Sequence, residues 1–239
     1  MSAATPIETE ASQVIAFIVV LGVASRRFIL KTLPDDEEFV ATGMPDRPRL
    51  ILATRNAHKT GEIRSMLGER YEVLDVNDFP DLPAIEETGT TFLENARLKA
   101  EGISREVPGI VLSDDSGLEV DALGGAPGVW SSSYGGEEGN HPKNNERLMR
   151  EMAGRTDRAA RFRCTMVLAE GGATLADFSG TVEGRIVDEL RGMGGFGYDP
   201  LFVPDGYDAT FAELGNEVKN QLSHRARAMA QVVEWLEGR

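Results

Sequence analysis

Residues 109–136 read GIVLSDDSGLEVDALGGAPGVWSSSYGG, and the fold turns on how their first nine residues are read. Ile110, Val111 and Leu112 form a short apolar run rich in β-branched residues, which predicts a buried strand. The run meets Asp114, Asp115, Ser116 and Gly117, so the strand is expected to end there and to deliver two carboxylates to its C-terminal edge, where open α/β sheets bind ligands. Adjacent acids in a low-dielectric site repel each other unless a cation or a proton lies between them. A hard divalent ion such as Mg²⁺ suits such oxygen donors. A plain turn is the competing reading, because Asp, Ser and Gly all favour turns.

Upstream, Leu50 to Ala53 make a second buried strand that stops at Thr54, and helical periodicity resumes through Lys59, Ile63, Met66 and Leu67. Between them lies TRNAHK, comprising Thr54, Arg55, Asn56, Ala57, His58 and Lys59. A helix N-terminus offers free backbone N–H groups and partial positive charge to phosphate oxygens, and Lys59 adds a full charge. The turn is not a Walker loop, which needs two glycines and a Lys-Ser/Thr pair. A capped helix with a solvated lysine is the alternative. YEVLDV, residues 71–76, predicts a further strand. In the segment that follows, Thr91 and Glu94 have capping-box spacing, and Phe92, Ala96, Ala100 and Ile103 share one helical face. Glu86 and Glu87 precede that helix in a loop, either solvated or turned toward a cation.

Residues 140–152 predict a helix. Residues 161–169 and 173–182 predict strands joined by a hairpin at Glu170, Gly171 and Gly172. Strands followed by helices, beside an antiparallel pair, indicate an α/β fold with a mixed sheet. GMGGFG, residues 192–197, matches a dinucleotide pattern in letters only: Tyr198, Asp199 and Pro200 follow directly, and a proline there opposes helix. Phe196 on this glycine loop is placed either to stack on a base or to pack under a neighbouring loop. The last segment predicts an amphipathic helix from Asn216. Either it is continuous and His224 points away from the core, or Ser223 caps a later start that brings His224 and Arg225 into a first turn.

The chain has 239 residues and a net charge of −14, enough for one substantial core and opposed to general nucleic-acid binding. Cys164 is the single cysteine, which excludes an internal disulfide and points to a reducing cytoplasm. It lies in an alternating stretch and is expected to be packed. His58, His141 and His224 lack metal-ligand spacing. Residues 1–43 read as an N-terminal extension, disordered or upstream of the true start at Met44, with residues 44–239 as the functional domain. The apolar run at 14–24 has 11 residues against the roughly 20 needed to span a bilayer. Acids precede it and arginines follow, which disfavours a secretory signal and leaves a signal anchor as the second reading.

Five blocks occur together and in order: LILATRNAHK, EETGTTFLENARLKA, LSDDSGLEVDALGGAPGVWSSSYGG, GGFGYDPLFVPDGYDATFAELG and KNQLSHRARA. From Arg49 onward the chain resembles the non-canonical purine nucleoside triphosphate pyrophosphatases. The resemblance implies a mixed curved sheet with flanking helices, two lobes around a central cleft, and a homodimer. It also implies Mg²⁺-dependent hydrolysis of ITP, dITP and XTP to the monophosphate and pyrophosphate. By position, Thr54, Asn56 and Lys59 would hold the triphosphate, Glu87 and Asp115 would lie near the metal, and Asp115 would accept the proton of the attacking water. Asp114 would support Asp115, and Ser116 would touch substrate. Phe196, Gly197, Tyr198 and Asp199 would line the base pocket with Lys219, His224 and Arg225. Donors such as His224 or Arg225 would favour a 6-oxo purine over adenine. The family commonly has a basic residue before the tyrosine at 134, where this chain has Ser133. Rival readings are a Maf-like pyrophosphatase acting on other modified nucleotides and a nucleotide-binding regulator without catalysis.

Overall fold

The computed structural model describes residues 47–239; the extension at 1–43 and the apolar run at 14–24 lie outside them. The chain runs β1 (Arg49–Leu52), α1 (Ala57–Leu67), β2 (Glu72–Asp75), α2 (Phe92–Glu106), β3 (Ile110–Val120), α3 (His141–Met152), β4 (Ala159–Glu170), β5 (Ala173–Ile186), β6 (Phe202–Pro204), α4 (Phe211–Leu222) and α5 (His224–Glu237). One six-stranded sheet has the order β2-β1-β3-β4-β5-β6. Its β2-β1-β3 part is parallel and the rest antiparallel, the mixed sheet expected from the alternation of elements. No helix among the described residues is long and apolar enough to cross a membrane.

In β1, Leu50 and Leu52 face a core shared with Ile63 of α1 and Met229 and Val232 of α5, while Ile51 joins Val111 and Ile103 of α2 on the other face. Strand alternation assigns the two sides, and covering both is why the run is apolar throughout. A third cluster, with Leu118, Leu148, Phe162, Phe202 and Phe211, fills the other end of the sheet. Fully burying each such side chain stabilises by roughly 1.5–3 kcal/mol relative to exposure.

The expectation that β3 stops at the acids is corrected. β3 continues through Asp114 and Asp115 to Val120, paired with β4 along the whole span from Val111. What ends is its other neighbour: β1 pairs only with Ile110, Val111 and Leu112. From Ser113 to Gly117 no strand pairs with that edge of β3, before Leu118 N–H donates to Ser131 Oγ and Glu119 bridges Pro127, and the acids stand beside that gap while the backbone stays extended.

The two readings of the C-terminal segment are resolved in favour of the cap. Ser223 is extended (φ −66°, ψ 164°), its side chain accepts from the Ala226 N–H, and α5 starts at His224. α4 is itself interrupted at Gly215 (φ 79°). The first turn of α5 presses on β5 at Gly180, where a Cβ would lie 2.1 Å from the His224 carbonyl oxygen and 2.6 Å from the Ala228 nitrogen. This approach carries His224 and Arg225 into the centre of the molecule, both almost fully buried.

Candidate active site

A cavity of about 480 Å³ opens between the β1–α1–α2 end of the sheet and the glycine loop that carries Phe196. Of the residues singled out by sequence, Thr54, Arg55, Asn56, Lys59, Glu87, Asp115, Ser116, Phe196, Gly197, Tyr198, Asp199, Lys219, His224 and Arg225 all line it. Ala57 and His58, at the exposed start of α1, do not line it.

At one end stands the turn into α1. Its amides are less open than a bare helix N-terminus: Asn56 Oδ1 accepts from the N–H groups of His58 (2.9 Å) and Lys59 (3.3 Å), and Thr54 Oγ1 accepts from Asn56 N–H (3.1 Å). Positive charge here comes from Lys59 and the helix dipole rather than from unpaired backbone donors. Arg55 turns outward to the Leu82 carbonyl (3.1 Å).

The two aspartates pair directly with different cations, Asp114 with Lys59 and Arg225 and Asp115 with Lys99, although the Lys59 charge acts on both. Alternation along β3 sends them to opposite sides. Asp114 is enclosed behind the cavity wall, with Lys59 Nζ at 2.6 Å, Arg225 Nε at 2.8 Å, Ser116 Oγ at 3.0 Å and Cys164 Sγ at 3.1 Å. Burial alone would raise its pKa, yet Arg225 and Lys59 hold it well below the usual carboxylate range. Cys164 is packed as expected; burial and the Asp114 charge push its thiol far up, away from nucleophilic use.

Asp115 faces the cavity. Lys99 Nζ donates to its Oδ1 at 3.0 Å and to Glu87 Oε2 at 2.7 Å, while Asp115 Oδ2 is buried without a partner. Burial raises the Asp115 pKa, Lys99 and Lys59 oppose the rise, and Glu87 adds to it. Lys99 has its own pKa raised, because Asp115 and Glu87 outweigh the burial that would lower it. Glu87 is therefore turned inward rather than simply solvated. No group of three or more His, Cys, Asp or Glu side chains stands together as a metal centre among the described residues; the candidate protein donors are two carboxylates.

A chain of buried ion pairs joins this end to the other. Arg225 Nη1 donates to Glu62 at 2.5 Å, and Lys219 Nζ lies 2.8 Å from Glu62 and 2.6 Å from Asp199. Asp199 Oδ2 in turn accepts from the Phe196 N–H at 2.8 Å. Gly195 (φ 70°) permits that contact, since a Cβ there would lie 2.1 Å from the same carboxylate oxygen. Burial raises the Asp199 pKa against the pull of Lys219. Glu62 goes the other way: Arg225 and Lys219 overcome its burial and lower it.

Arg225 commits four of its five N–H groups to Asp114, Glu62 and Ser116, which leaves it one uncommitted donor. His224 stacks on Phe162 (4.9 Å, 12°) and leaves Nδ1 buried without a partner; burial, then Arg225 and Lys219, keep it neutral. Tyr198 anchors the loop by donating to the Ser131 carbonyl at 2.8 Å. Beside Ser133, the guanidinium of Arg147 covers the Tyr134 ring at 4.1 Å, so α3 supplies positive charge near a position where the family commonly carries it on the preceding residue.

Lys99 and Glu62 were not singled out by sequence. Lys99 interrupts the apolar stripe of α2, three residues after Ala96, which is a signal that a buried charge needs a partner. Glu62 is one turn beyond Lys59 on a helix with little apolar asymmetry, and nothing local marks it.

Acids, ammonium groups and a stacking ring around one cleft of a mixed α/β sheet define a site for a small polyanion with an aromatic end. The chain belongs to the Ham1 family, whose model matches residues 50–235. It is 47% identical over 190 residues to a dITP/XTP pyrophosphatase of Halalkalibacterium halodurans, covering 78% of this chain and 98% of that one. With a dITP/XTP pyrophosphatase of Bacillus licheniformis it shares 48% identity over 186 residues, 77% of this chain and 95% of the relative. The solved structure of the Staphylococcus aureus Ham1 protein superposes with a TM-score of 0.72 at 38% identity, covering 80% of this chain and 98% of that one.

Proposed function

We propose that this protein hydrolyses non-canonical purine nucleoside triphosphates (ITP, dITP and XTP) to the monophosphate and pyrophosphate, removing them from the nucleotide pool. The observation that carries the reading is Asp115: a buried carboxylate with one oxygen held by Lys99 and the other without a partner, in the same cavity as Lys59 and Phe196.

Cleavage between the α and β phosphates requires a water in line with the leaving pyrophosphate, a base, and positive charge on the phosphate oxygens. The Asp115 carboxylate accepts the proton of that water, and burial makes it a stronger base than a solvated one. Lys59 and Lys99 neutralise the oxygens, Thr54 and Asn56 shape the turn beneath them, and Ser116 borders the substrate. Phe196 offers its ring to the base, with Lys219 and His224 as donors to a 6-oxo group and Asp199 fixing Lys219.

Glu87 and the orphaned oxygen of Asp115 fit a divalent ion of the Mg²⁺ kind, which typically takes one or two carboxylates and completes its shell with water and phosphate oxygens. When bound, Mg²⁺ supplies charge against the polyphosphate. The same proposal places the activity in residues 44–239, so a chain beginning at Met44 is expected to retain it. It also includes the homodimer implied by the family resemblance, for which the exposed Trp130 (63%) offers apolar surface; sedimentation at micromolar concentration tests it.

The deciding experiment is pyrophosphate release in Mg²⁺ from ITP, XTP, GTP, ATP, dTTP and UTP. Preference for ITP and XTP supports the proposal, preference for the pyrimidines indicates a Maf-like activity, and tight ITP binding with no release indicates a regulator.

A further inference from the structure

We propose that Asn145 of α3 is a positioning residue for the base end of the cavity, holding in place the turn that carries Phe196; the inference rests on reading Phe196 to Asp199 as the wall that meets the purine. Asn145 Nδ2 donates to the Gly197 carbonyl oxygen at 3.0 Å. Gly197 lines the cavity, whereas Asn145 is buried and is not itself a lining residue. Its effect on a ligand therefore passes through the turn.

Phe196 sits between two glycines at positive φ, Gly195 (70°) and Gly197 (64°), and glycine backbone has more conformational freedom than any other. Ahead of the ring, the Phe196 N–H is held by Asp199 Oδ2 at 2.8 Å. Beyond it, no atom lies within 4 Å of where a Cβ on Gly197 would stand, so packing on that side does not fix the turn. The tether there is the Asn145 amide. The preceding residue serves the neighbouring loop: Asn144 accepts from the Gly135 N–H and donates to the Ser132 carbonyl at 2.9 Å. Consecutive asparagines on α3 thus brace two segments of the cavity lining, Ser131 to Ser133 and Phe196 to Asp199.

The two amides differ in what they do for the fold. Asn144 uses both ends of its amide, but Asn145 Oδ1 is buried without a partner, which destabilises the native state. A leucine of similar size would remove that orphaned oxygen, and the half-exposed Gly197 carbonyl could take water in place of the lost donor. A buried amide that is unfavourable to the fold and makes its one side-chain hydrogen bond to the cavity wall is accounted for by what it positions. A turn ordered in advance spares the base the loss of loop entropy on binding.

The test compares wild type with Asn145→Leu and Asn145→Ala, under conditions where urea unfolding shows each to be folded. The Kd of IMP is read by calorimetry, KM and kcat for ITP by pyrophosphate release, and the Ki of inorganic tripolyphosphate reports the phosphate end alone. Both variants are expected to raise the IMP Kd and the ITP KM about 2- to 10-fold, the range of one hydrogen bond. The tripolyphosphate Ki and kcat should stay at wild-type values, because binding of the base and not the chemical step is weakened. Asn145→Leu should unfold at a urea midpoint no lower than wild type; a selective rise in the IMP Kd supports the proposal at either midpoint. An unchanged IMP Kd in both variants overturns it and leaves the amide a role in the fold alone. A parallel loss of tripolyphosphate affinity, or a fall in kcat, overturns it as well, since the damage is then not confined to the base end. Failure of the wild type to bind IMP or to release pyrophosphate from ITP overturns the underlying reading, and is seen before any substitution is made.

Discussion

Lys99 Nζ donates to Asp115 at 3.0 Å through one carboxylate oxygen and leaves the other buried without a partner. The same ammonium holds Glu87 at 2.7 Å, so one largely buried charge restrains two acids that line the cavity. Asp114, one residue away, is locked by Arg225 and Lys59 behind the wall. Neighbours in sequence are thus divided between a fully partnered carboxylate behind the wall and a half-partnered one on the cavity.

Replacing Asp115 with Asn removes the proposed base and keeps the shape. Turnover of ITP should fall by roughly 10²-fold or more, in the range for loss of a general base, with the thermal midpoint within a few degrees of wild type. Pyrophosphate release at near wild-type rate by this variant would exclude the assigned role.

Lys99→Met removes the charge that opposes the upward shift of Asp115. The carboxylate, already raised by burial, then rises further. Because the base must be deprotonated to act, the acid limb of kcat/KM against pH should move to higher pH, with a lower plateau. Profiles measured between pH 5 and 9 test this; an acid limb at the wild-type position contradicts it.

Arg225→Met strips Asp114 and Glu62 of their shared buried partner. Breaking such a pair from one side costs about 3–5 kcal/mol, read as a lower urea midpoint. Arg225→Lys should recover only part, since an ammonium cannot reproduce the forked contact. In wild type, the depressed pKa of Asp114 means its contribution is complete above the unfolded value of about 3.9 and is lost as pH falls through the folded one. An Arg225→Met protein as stable as wild type would show that the pair adds nothing.

Much of this architecture was legible in the chain because local and global preferences agree. Thr91 and Glu94 form the capping box their spacing announced, and the hairpin at Glu170 to Gly172 joins two strands that run longer than their apolar cores. The loop at 192–197 is not a helix start, as Pro200 required. The miss at β3 has a physical cause. Asp-Asp-Ser-Gly favours a turn locally, but extended backbone wins because β4 pairs along it and Arg225, 111 positions away, neutralises Asp114. Partners at that separation leave no local trace. The choice between a continuous and a capped C-terminal helix was equally beyond the segment itself, since the contact made possible by Gly180 comes from another strand.

His224 gives the molecule a pH dependence with a definite sign. Burial, then Arg225 and Lys219, hold its folded pKa well below the ordinary value, so the native state keeps the ring neutral. In the unfolded chain it titrates near 6.5. Below that value the unfolded state binds a proton that the native state does not, and stability falls with acidification. The contribution is complete above about pH 6.5 and is lost below it at up to about 1.4 kcal/mol per pH unit. Asp115 and Asp199, both raised, shift stability in the opposite direction at lower pH, so the comparison must be with a variant lacking only the imidazole. Urea unfolding of wild type and His224→Asn at pH 7.5, 6.5 and 5.5 makes it. The stability advantage of wild type should shrink by roughly 1 kcal/mol between pH 6.5 and 5.5; a constant gap would mean that His224 is charged, or free to become so, in the folded protein.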